Sequence, residues 1–172
     1  MYGCTLQIYN GFVLGETPIE VEMKEIKIMD ILNYVSKGKI KNLQECESGI
    51  YPVISCSVVN NGYIKHINTY DYDGLYVTIS GNGSAGTCFV QKGKFSASTD
   101  VHVLKLKDEY KYLESCLGLL AYIMTNKFMH IYNYSTKLNN ARLMNETISL
   151  PTLDGKINEN LLNAYVYEMM LM

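Results

Sequence analysis

Residues 75–91 read Leu-Tyr-Val-Thr-Ile-Ser-Gly-Asn-Gly-Ser-Ala-Gly-Thr-Cys-Phe-Val-Gln, and this stretch is the most informative part of the chain. Its two ends are strand-like, and the loop between them contains three glycines. Glycine tolerates positive φ angles and lets another backbone or a ligand approach closely, while Asn82 and Ser84 can both donate and accept hydrogen bonds. The simplest interpretation is a tight turn that needs glycine for its geometry. The second interpretation is a polar loop that reaches into a groove. The surrounding sequence helps to decide between these two interpretations.

Further strands are predicted on both sides of this pair. Residues 50–56, 63–67 and 101–106 are rich in apolar and β-branched side chains and are separated by turn signals. Pro52 favours an edge position or a strand start for the first run. Turns are predicted at 60–62, 71–74 and 92–94. Strands at this close spacing predict a mixed or antiparallel sheet, or a partial barrel.

Helical periodicity flanks the strands. Apolar residues at helical spacing predict a short N-terminal helix over 25–35 that ends near Gly38. One apolar stripe predicts a long helix at about 109–132 that backs the core. Residues 147–151 predict a short strand stopped by proline, and 158–172 predict a C-terminal helix with an apolar end. The predicted fold class is therefore α/β (α+β).

The length of 172 residues corresponds to one domain, and a 48% hydrophobic composition is enough to bury a core. We expect a single globular domain over residues 24–172. Residues 1–23 are expected to form an N-terminal extension, in which an Asn10-Gly11 turn predicts a hairpin.

The charge and the cysteine content restrict the function classes. A net charge of −2 counts against a free-standing, non-specific DNA-binding protein, but not against a module that a larger assembly docks on DNA. The longest apolar stretch, 116–124, is too short to cross a bilayer, and no signal peptide is expected. Five scattered cysteines without a Cys-x-x-Cys pair favour reduced thiols in the cytoplasm, and indicate neither a disulfide framework nor a zinc site.

No catalytic or metal-binding constellation is indicated. His66, His102 and His130 do not form a pair at metal-ligand spacing. A Cys88–His102 nucleophile pair is the one enzymatic arrangement available, but no neighbouring residue indicates an activated thiolate. The glycine loop lacks the Lys-Ser/Thr of a phosphate-binding P-loop, and no Gly-x-Ser-x-Gly sequence occurs. We therefore expect a non-catalytic chain with no metal and no cofactor.

The order of motifs along residues 25–170 resembles a known family. A short predicted helix, two β segments, the glycine loop, a Phe-Ser-Ala-Ser-Thr-Asp segment, a long helix and an Ile-x-Leu-Pro strand follow one another. The motifs that carry the resemblance lie at residues 37–39, 49–55, 60–64, 80–86, 94–101 and 148–151. This succession resembles the target recognition domain of type I restriction-modification specificity subunits. The tail from Leu150 resembles more closely the variant found in BcgI-like type IIB/IIG systems.

This resemblance implies sequence-specific recognition of double-stranded DNA. In the family, the domain reads one half of a split target and delivers it to a separate methyltransferase and nuclease, without catalysing a reaction itself. Type I specificity subunits carry two such domains held apart by long helices, whereas this chain shows one. It is therefore expected to act as a half-subunit that forms a homodimer, or as a detached recognition module.

Polar and basic residues on predicted turns and loops are the candidate DNA contacts. Asparagine can bond adenine at two points, and lysine or arginine suits contacts with phosphate. The candidates for base readout are Asn60, Asn61, Asn82 and Ser84. The candidates for phosphate contact are Lys37, Lys39, Lys41, Lys92, Lys94, Lys137 and Arg142. The plainer interpretations are turn geometry for the asparagines and solvated surface charge for the lysines.

Two other functions stay open at this point. The acidic balance and the apolar C-terminal helix also suit a protein-interaction module, such as a regulator or mimic of a restriction complex, without direct DNA binding. A small enzyme that uses Cys88 or a histidine is the other. DNA binding measured with methyltransferase present would separate the first from a recognition domain. The second would require an activity that is lost in a Cys88→Ala variant.

Overall fold

The computed structural model describes residues 21–133 and 135–171, so the hairpin predicted around Asn10-Gly11 lies outside the described residues. The strands are β1 (Glu22–Lys27), β2 (Leu32–Lys37), β3 (Tyr51–Ile54), β4 (Tyr63–Ile67), β5 (Tyr72–Ser80), β6 (Cys88–Ala97), β7 (Val101–Leu106), β8 (Thr147–Leu153) and β9 (Lys156–Ile157). The α-helices are α1 (Ile28–Ile31), α2 (Leu117–Phe128), α3 (Asn140–Leu143) and α4 (Glu159–Leu171). Short 3₁₀ segments occur at Leu43–Glu45, Asn60–Gly62 and Asp108–Cys116.

Six strands form a curled sheet in the order β2-β7-β5-β6-β3-β4. Neighbouring strands are antiparallel except β3 and β6, which run parallel where Val53 and Ile54 pair with β6. An isolated parallel bridge between Ile40 and Ser98 links the segment after β2 to the end of β6. Over the described residues the sheet does not close into a barrel, and a second, antiparallel sheet has the order β1-β8-β9. The predicted α/β class with a mixed sheet is confirmed.

The two faces of the six-stranded sheet carry different apolar clusters, because successive side chains of a strand point to opposite faces. Val77 and Leu104 pack in the main core, which also takes in buried side chains of α2 and β8. Tyr72, Phe95 and Val103 belong to a smaller cluster on the other face, where the Tyr72 and Phe95 rings stack with centroids 5.0 Å apart. The main core therefore joins the two sheets through α2.

Strands β5 and β6 form one long hairpin, so the turns predicted at 71–74 and 92–94 are wrong. Their pairing is continuous along the whole of the hairpin. Gly74 (φ 133°) lies opposite Gly93 (φ 90°) in this register. Because glycine adopts positive φ without a steric cost, both strands pass through these positions instead of ending there.

The N-terminal helix is much shorter than the predicted 25–35. Only Ile28–Ile31 is helical, and strands β1 and β2 flank this single turn. The flanks are extended because β1 pairs with β8 and β2 pairs with β7, and both partners are distant in sequence. Ile28, Ile31 and Leu32 are all buried. The apolar spacing therefore indicates burial correctly, but one helical turn is enough to produce it.

The long helix predicted at about 109–132 is divided into two parts. Asp108–Cys116 forms 3₁₀ turns, and only Leu117–Phe128 is α-helical. Cys116 has φ −108° and ψ 12°, which are not helical angles and interrupt the ladder of i→i−4 hydrogen bonds. Leu113 is buried like the apolar residues of α2, so the apolar stripe continues across the break.

The C-terminal elements follow the sequence pattern more closely. The predicted C-terminal helix is confirmed as α4, and the strand expected at 147–151 is β8, which continues to Leu153. Pro151 does not stop it: Pro151 pairs with Met23 of β1, and its carbonyl still accepts a bond from the backbone N–H of Asn158 at 2.9 Å. None of the helices that the structure describes has the length and apolar character needed to cross a membrane.

Candidate nucleic-acid interface

Several loops meet at one end of the curled sheet. The backbone N–H of Gly81 donates to the carbonyl of Asp100 at 2.8 Å, and the Cys56 thiol donates to the same carbonyl at 3.4 Å. A Cβ atom added to Gly81 would lie 3.0 Å from the carbonyl oxygen of Leu138. We call the surface formed by these loops the loop surface, and it comprises residues 37–41, 55–62, 81–87, 98–100 and 137–142.

The charge of the loop surface differs from that of the whole chain. Its five segments contain five cationic side chains and one carboxylate, Asp100, which gives a net charge of +4 against −2 for the chain. Asp71, just outside these segments, pairs with Lys39 at 3.5 Å and offsets one of these charges. All five cationic residues are exposed. They are Lys37, Lys39, Lys41, Lys137 and Arg142. A positive patch on an acidic protein is an arrangement that attracts a polyanion to one side of the molecule.

The glycine loop between β5 and β6 is packed against helix α2. Inside the loop, Ser80 N–H donates to Thr87 O at 2.9 Å and Gly86 N–H donates to Ser80 O at 2.7 Å. Gly86 has φ 90°, and a Cβ atom there would lie 2.4 Å from Cβ of Phe128 at the end of α2. The loop is therefore held close to the body of the protein, and Gly86 is needed for this close approach.

Asn82 and Ser84 have different environments within the glycine loop. The side-chain oxygen of Asn82 accepts from Gly83 N–H at 3.0 Å, and its NH₂ group has no hydrogen-bond partner among the described residues. The Ser84 hydroxyl is buried and likewise has no hydrogen-bond partner within the described part of the chain. Asn82 therefore keeps free hydrogen-bonding capacity near the surface, while the Ser84 hydroxyl is enclosed.

Asn60 and Asn61 lie in a turn with left-handed backbone angles, φ 51° and 55°. The Asn61 side-chain NH₂ donates to the Val90 carbonyl at 2.9 Å and to the Gln91 side-chain oxygen at 3.0 Å. Gln91 in turn donates from Nε2 to the Asn61 carbonyl at 2.9 Å. The Asn61 amide thus anchors the turn to β6. Asn60 is exposed, and its side chain makes no hydrogen bond to any residue that the structure describes.

The two cations near α3 are carried by a well-defined segment. Arg142 donates from Nη1 to the carbonyl of Lys137 at 2.6 Å, and its backbone N–H donates to the Asn139 side-chain oxygen at 3.0 Å. The Leu138 side chain is only 1% exposed and is part of the main core. Residues 137–142 are therefore anchored by a buried side chain and by their own hydrogen bonds.

The remaining lysine candidates lie near aromatic rings or along β6. Lys39 Nζ is 3.5 Å from the Asp71 carboxylate and 5.7 Å from the centre of the Tyr72 ring. Lys94 Nζ lies 4.5 Å from the centre of the Tyr70 ring, and its hydrogen bond to the Tyr70 phenol raises the pKa of Lys94. Lys92 is exposed on β6. Every candidate contact except Lys92 and Lys94 belongs to a segment of the loop surface, although the Ser84 hydroxyl is enclosed and the Asn61 amide is bound to β6.

His102 lies beneath the loop surface and was not a candidate contact from the sequence. Its Nε2 is 2.9 Å from the Leu138 carbonyl, and its Nδ1 is 3.3 Å from the Tyr34 hydroxyl. Burial lowers the pKa of His102, the nearby Lys37 charge lowers it further, and the bond to Leu138 opposes this shift. A neutral, doubly hydrogen-bonded histidine is therefore built into the sheet below the loops.

The geometry gives no support to Cys88 as a nucleophile. Cys88 is buried, its thiol donates to the Gly86 carbonyl at 3.2 Å, and burial raises the pKa of the thiol strongly. The hydrogen bonds found for His102 lead to Tyr34 and Leu138 instead of to Cys88. No group of His, Cys, Asp or Glu residues suitable for a metal ion occurs within the described residues.

Comparison with known proteins adds independent information. The profile of the family described as "Type I restriction modification DNA specificity domain" matches residues 20–165. The putative type I specificity subunit S.MpnORF507P of Mycoplasma pneumoniae is 36% identical over 139 residues, which cover 78% of this chain and 37% of that protein. S.MpnORF201P of the same organism is 37% identical over 148 residues, covering 86% of this chain and 59% of that protein. The chain thus spans 37% and 59% of the length of these two relatives.

A relative from a BcgI-like system, the kind that the tail of the sequence resembles, is also found. The type II restriction enzyme specificity subunit S.BcgI of Heyndrickxia coagulans is 27% identical over 144 residues, covering 82% of this chain and 42% of that protein.

Solved structures share the fold at low sequence identity. The type I restriction-modification S subunit from M. genitalium superposes with a TM-score of 0.71 at 12% identity, over 91% of this chain and 40% of that chain. The HsdS subunit from Thermoanaerobacter tengcongensis gives a TM-score of 0.55 at 13% identity, over 94% and 40%. The resemblance inferred from the order of motifs is confirmed. The chain belongs to the family of type I restriction-modification DNA specificity domains.

Proposed function

We propose that this chain recognises a specific sequence in double-stranded DNA through the loop surface. The observation that carries the proposal is the concentration of positive charge on that surface, +4 on a chain of net charge −2. Family membership supports it, because the matching profile is that of a DNA specificity domain. The interaction-module alternative gains no support from either observation.

The cationic side chains would contact phosphate groups. Lys37, Lys39, Lys41, Lys137 and Arg142 are exposed and lie on anchored segments. Contacts of this kind fix the position of a protein on the duplex and make its affinity depend on salt. Lys92 and Lys94 lie outside the loop surface, and we propose them as contacts to more distant phosphates.

Asn60 and Asn82 are proposed to read base edges. Both side chains keep hydrogen-bonding capacity that no described residue uses. An asparagine amide can bond N6 and N7 of adenine in the major groove. Asn61 and Ser84 would support this readout from inside the protein, since the Asn61 amide is bound to β6 and the Ser84 hydroxyl is enclosed.

The chemistry is proposed to lie with partner subunits. Specificity subunits are among the relatives, and the described cysteine and histidine side chains that were candidates for catalysis are held in structural contacts. We propose that the chain acts in the cytoplasm and presents its target to a separate methyltransferase, and to a nuclease where one is present. A homodimer, in which each copy reads one half of a split target, is also proposed.

The phosphate contacts are tested by a triple alanine variant at Lys37, Lys137 and Arg142. Binding of the full chain to a mixed-sequence duplex is measured across a salt series, with and without methyltransferase. Because each lost phosphate contact lowers the salt slope by about 1, the variant is expected to lower it by about 3. A triple alanine variant at Lys24, Lys111 and Lys156 is the control, since these exposed lysines lie outside the loop surface.

Equal slopes for the two triple variants would show that DNA binds elsewhere. No binding by the unmodified chain, even with methyltransferase, would favour the interaction-module alternative. Base readout is tested separately by selecting preferred sites from a random duplex library. Asn82→Ala is expected to change the preferred sequence, and Asn126→Ala on the exposed face of α2 is expected to leave it unchanged.

A further inference from the structure

His102 is enclosed directly beneath the loop surface and has both ring nitrogens engaged. It is 0% exposed, with Nε2 2.9 Å from the Leu138 carbonyl and Nδ1 3.3 Å from the Tyr34 hydroxyl. A carbonyl oxygen only accepts hydrogen bonds, so Nε2 carries the proton and Nδ1 accepts from Tyr34. His102 therefore makes a fixed connection between β2, β7 and the segment that precedes α3.

The carbonyl bound by His102 lies in the cationic segment of the loop surface. Leu138 follows Lys137 directly, and Arg142 closes back on Lys137 by donating to its carbonyl at 2.6 Å. The Leu138 side chain is held in the main core. The bond from His102 thus ties the backbone of this segment to the six-stranded sheet, next to the Leu138 side chain that anchors it in the core. It helps to fix the positions of the two cations.

The base of the glycine loop packs against the same bond. A Cβ atom on Gly81 would lie 2.9 Å from His102 Nε2 and 3.0 Å from the Leu138 carbonyl oxygen. Both distances are too short for a side chain to be accepted without a shift of its neighbours. One junction therefore holds the cationic segment and the glycine loop against each other.

We propose that His102 is a positioning residue for DNA recognition, which fixes residues 137–142 and the base of the glycine loop relative to one another. This inference rests on the proposed function of the loop surface. His102 has no exposed surface in this structure, so its proposed role does not involve direct contact with DNA. It acts through the placement of Lys137, Arg142 and the glycine loop that carries Asn82.

The proposal is tested with His102→Asn and His102→Gln in the full chain. An asparagine amide replaces Nδ1 and leaves the Leu138 carbonyl without its donor, whereas a glutamine amide reaches the Nε2 position and restores that bond. Binding to a mixed-sequence duplex is measured across a salt series. His102→Asn is expected to lower the salt slope by up to about 2, the loss of two phosphate contacts. His102→Gln is expected to restore most of it.

A double-mutant cycle distinguishes placement of the two cations from a general structural effect. In a background with Lys137→Ala and Arg142→Ala, the salt slope is expected to be the same with and without His102→Asn. The two phosphate contacts that His102 positions are already absent in that background. Additive effects of the two changes on the slope would overturn the proposal. An unchanged slope for folded His102→Asn in the wild-type background would overturn it as well.

Hydrogen exchange without DNA separates failure of this proposal from failure of the proposed function. His102→Asn is expected to speed amide exchange over residues 137–143 by at least about fivefold, the factor for one lost buried hydrogen bond. Tyr34→Phe is the matched control, because it removes the other bond of His102 and leaves the Leu138 carbonyl paired. Equal exchange in the two variants overturns the positioning role, whether or not DNA binds.

A second perturbation covers the case in which His102→Asn does not fold. Gly81→Ala introduces a Cβ at the same junction from the loop side and has no positive φ to strain. It is expected to speed exchange over 137–143 and to lower the salt slope in the same direction. A folded Gly81→Ala protein with neither change would overturn the proposal.

Discussion

The packing of the glycine loop on helix α2 can be tested with Gly86→Ala. Gly86 has φ 90°, and the new Cβ would lie 2.4 Å from Cβ of Phe128. Placing a side chain at positive φ costs about 1–2 kcal/mol. Forcing an extra carbon into a packed region costs a further 1–3 kcal/mol or so. The free energy of unfolding is therefore expected to fall by about 2–5 kcal/mol in total.

Gly93→Ala is a matched control for the backbone part of this cost. Gly93 has the same φ of 90°, but a Cβ there would have no atom within 4 Å. Its substitution is expected to cost only the backbone term of about 1–2 kcal/mol. Urea unfolding followed by circular dichroism measures both variants, and an unchanged m-value shows that the two unfolding transitions can be compared.

The difference between the two variants isolates the contact between the loop and the helix. Gly86→Ala is expected to be less stable than Gly93→Ala by about 1–3 kcal/mol. Equal stabilities would show that the glycine loop does not pack against Phe128 in solution.

Other predictions follow from buried groups. Lowering the pH below 6.5 is expected to reduce the free energy of unfolding. Burial and the Lys37 charge lower the pKa of His102 in the folded protein, so the unfolded chain takes up the proton at a higher pH than the folded chain does. His102→Gln should remove this part of the pH dependence in urea titrations. Iodoacetamide at pH 8 is expected to leave Cys88 unmodified until urea is added, because burial raises the pKa of its thiol, as peptide mass spectrometry would show. Phe128→Ala should cost about 3–5 kcal/mol in thermal or urea unfolding. Asn61→Ala should cost about 1–3 kcal/mol by the same assay, because it removes the bonds that hold its turn to β6.

The strands could be predicted because their signals are local. The alternation in 101–106 and the two runs around the glycine loop correspond to β7, β5 and β6. The apolar pattern of 158–172 likewise corresponds to α4. In these elements, side-chain period and turn residues agree with the tertiary structure, so sequence alone is sufficient.

The errors arose where distant contacts override a local pattern. Residues 25–35 show helical spacing, but β8 and β7 pair with their flanks and leave one helical turn. The Gly-containing segments 71–74 and 92–94 look like turns, but they face each other inside a hairpin, and only the pairing register reveals this. A single sequence contains no direct signal for either pairing.

The candidate contacts likewise divide into features that the sequence identifies and features that only the structure reveals. Sequence type and turn position identify Lys137, Arg142 and Asn82 as polar loop residues, and the structure gathers them on one surface. Residue type and turn position do not indicate that the Asn61 amide is bound to β6 or that His102 donates to the Leu138 carbonyl. Those contacts join residues about thirty or more positions apart, so they become visible only in the folded protein.

The position of duplex DNA on the loop surface is measured by hydrogen–deuterium exchange with and without a mixed-sequence duplex. Added DNA is expected to slow amide exchange in residues 37–41, 81–87 and 137–142 and to leave α4 and the three-stranded sheet unchanged. Slower exchange confined to α4 or to the three-stranded sheet, with none in these loops, would show that DNA does not bind to the loop surface.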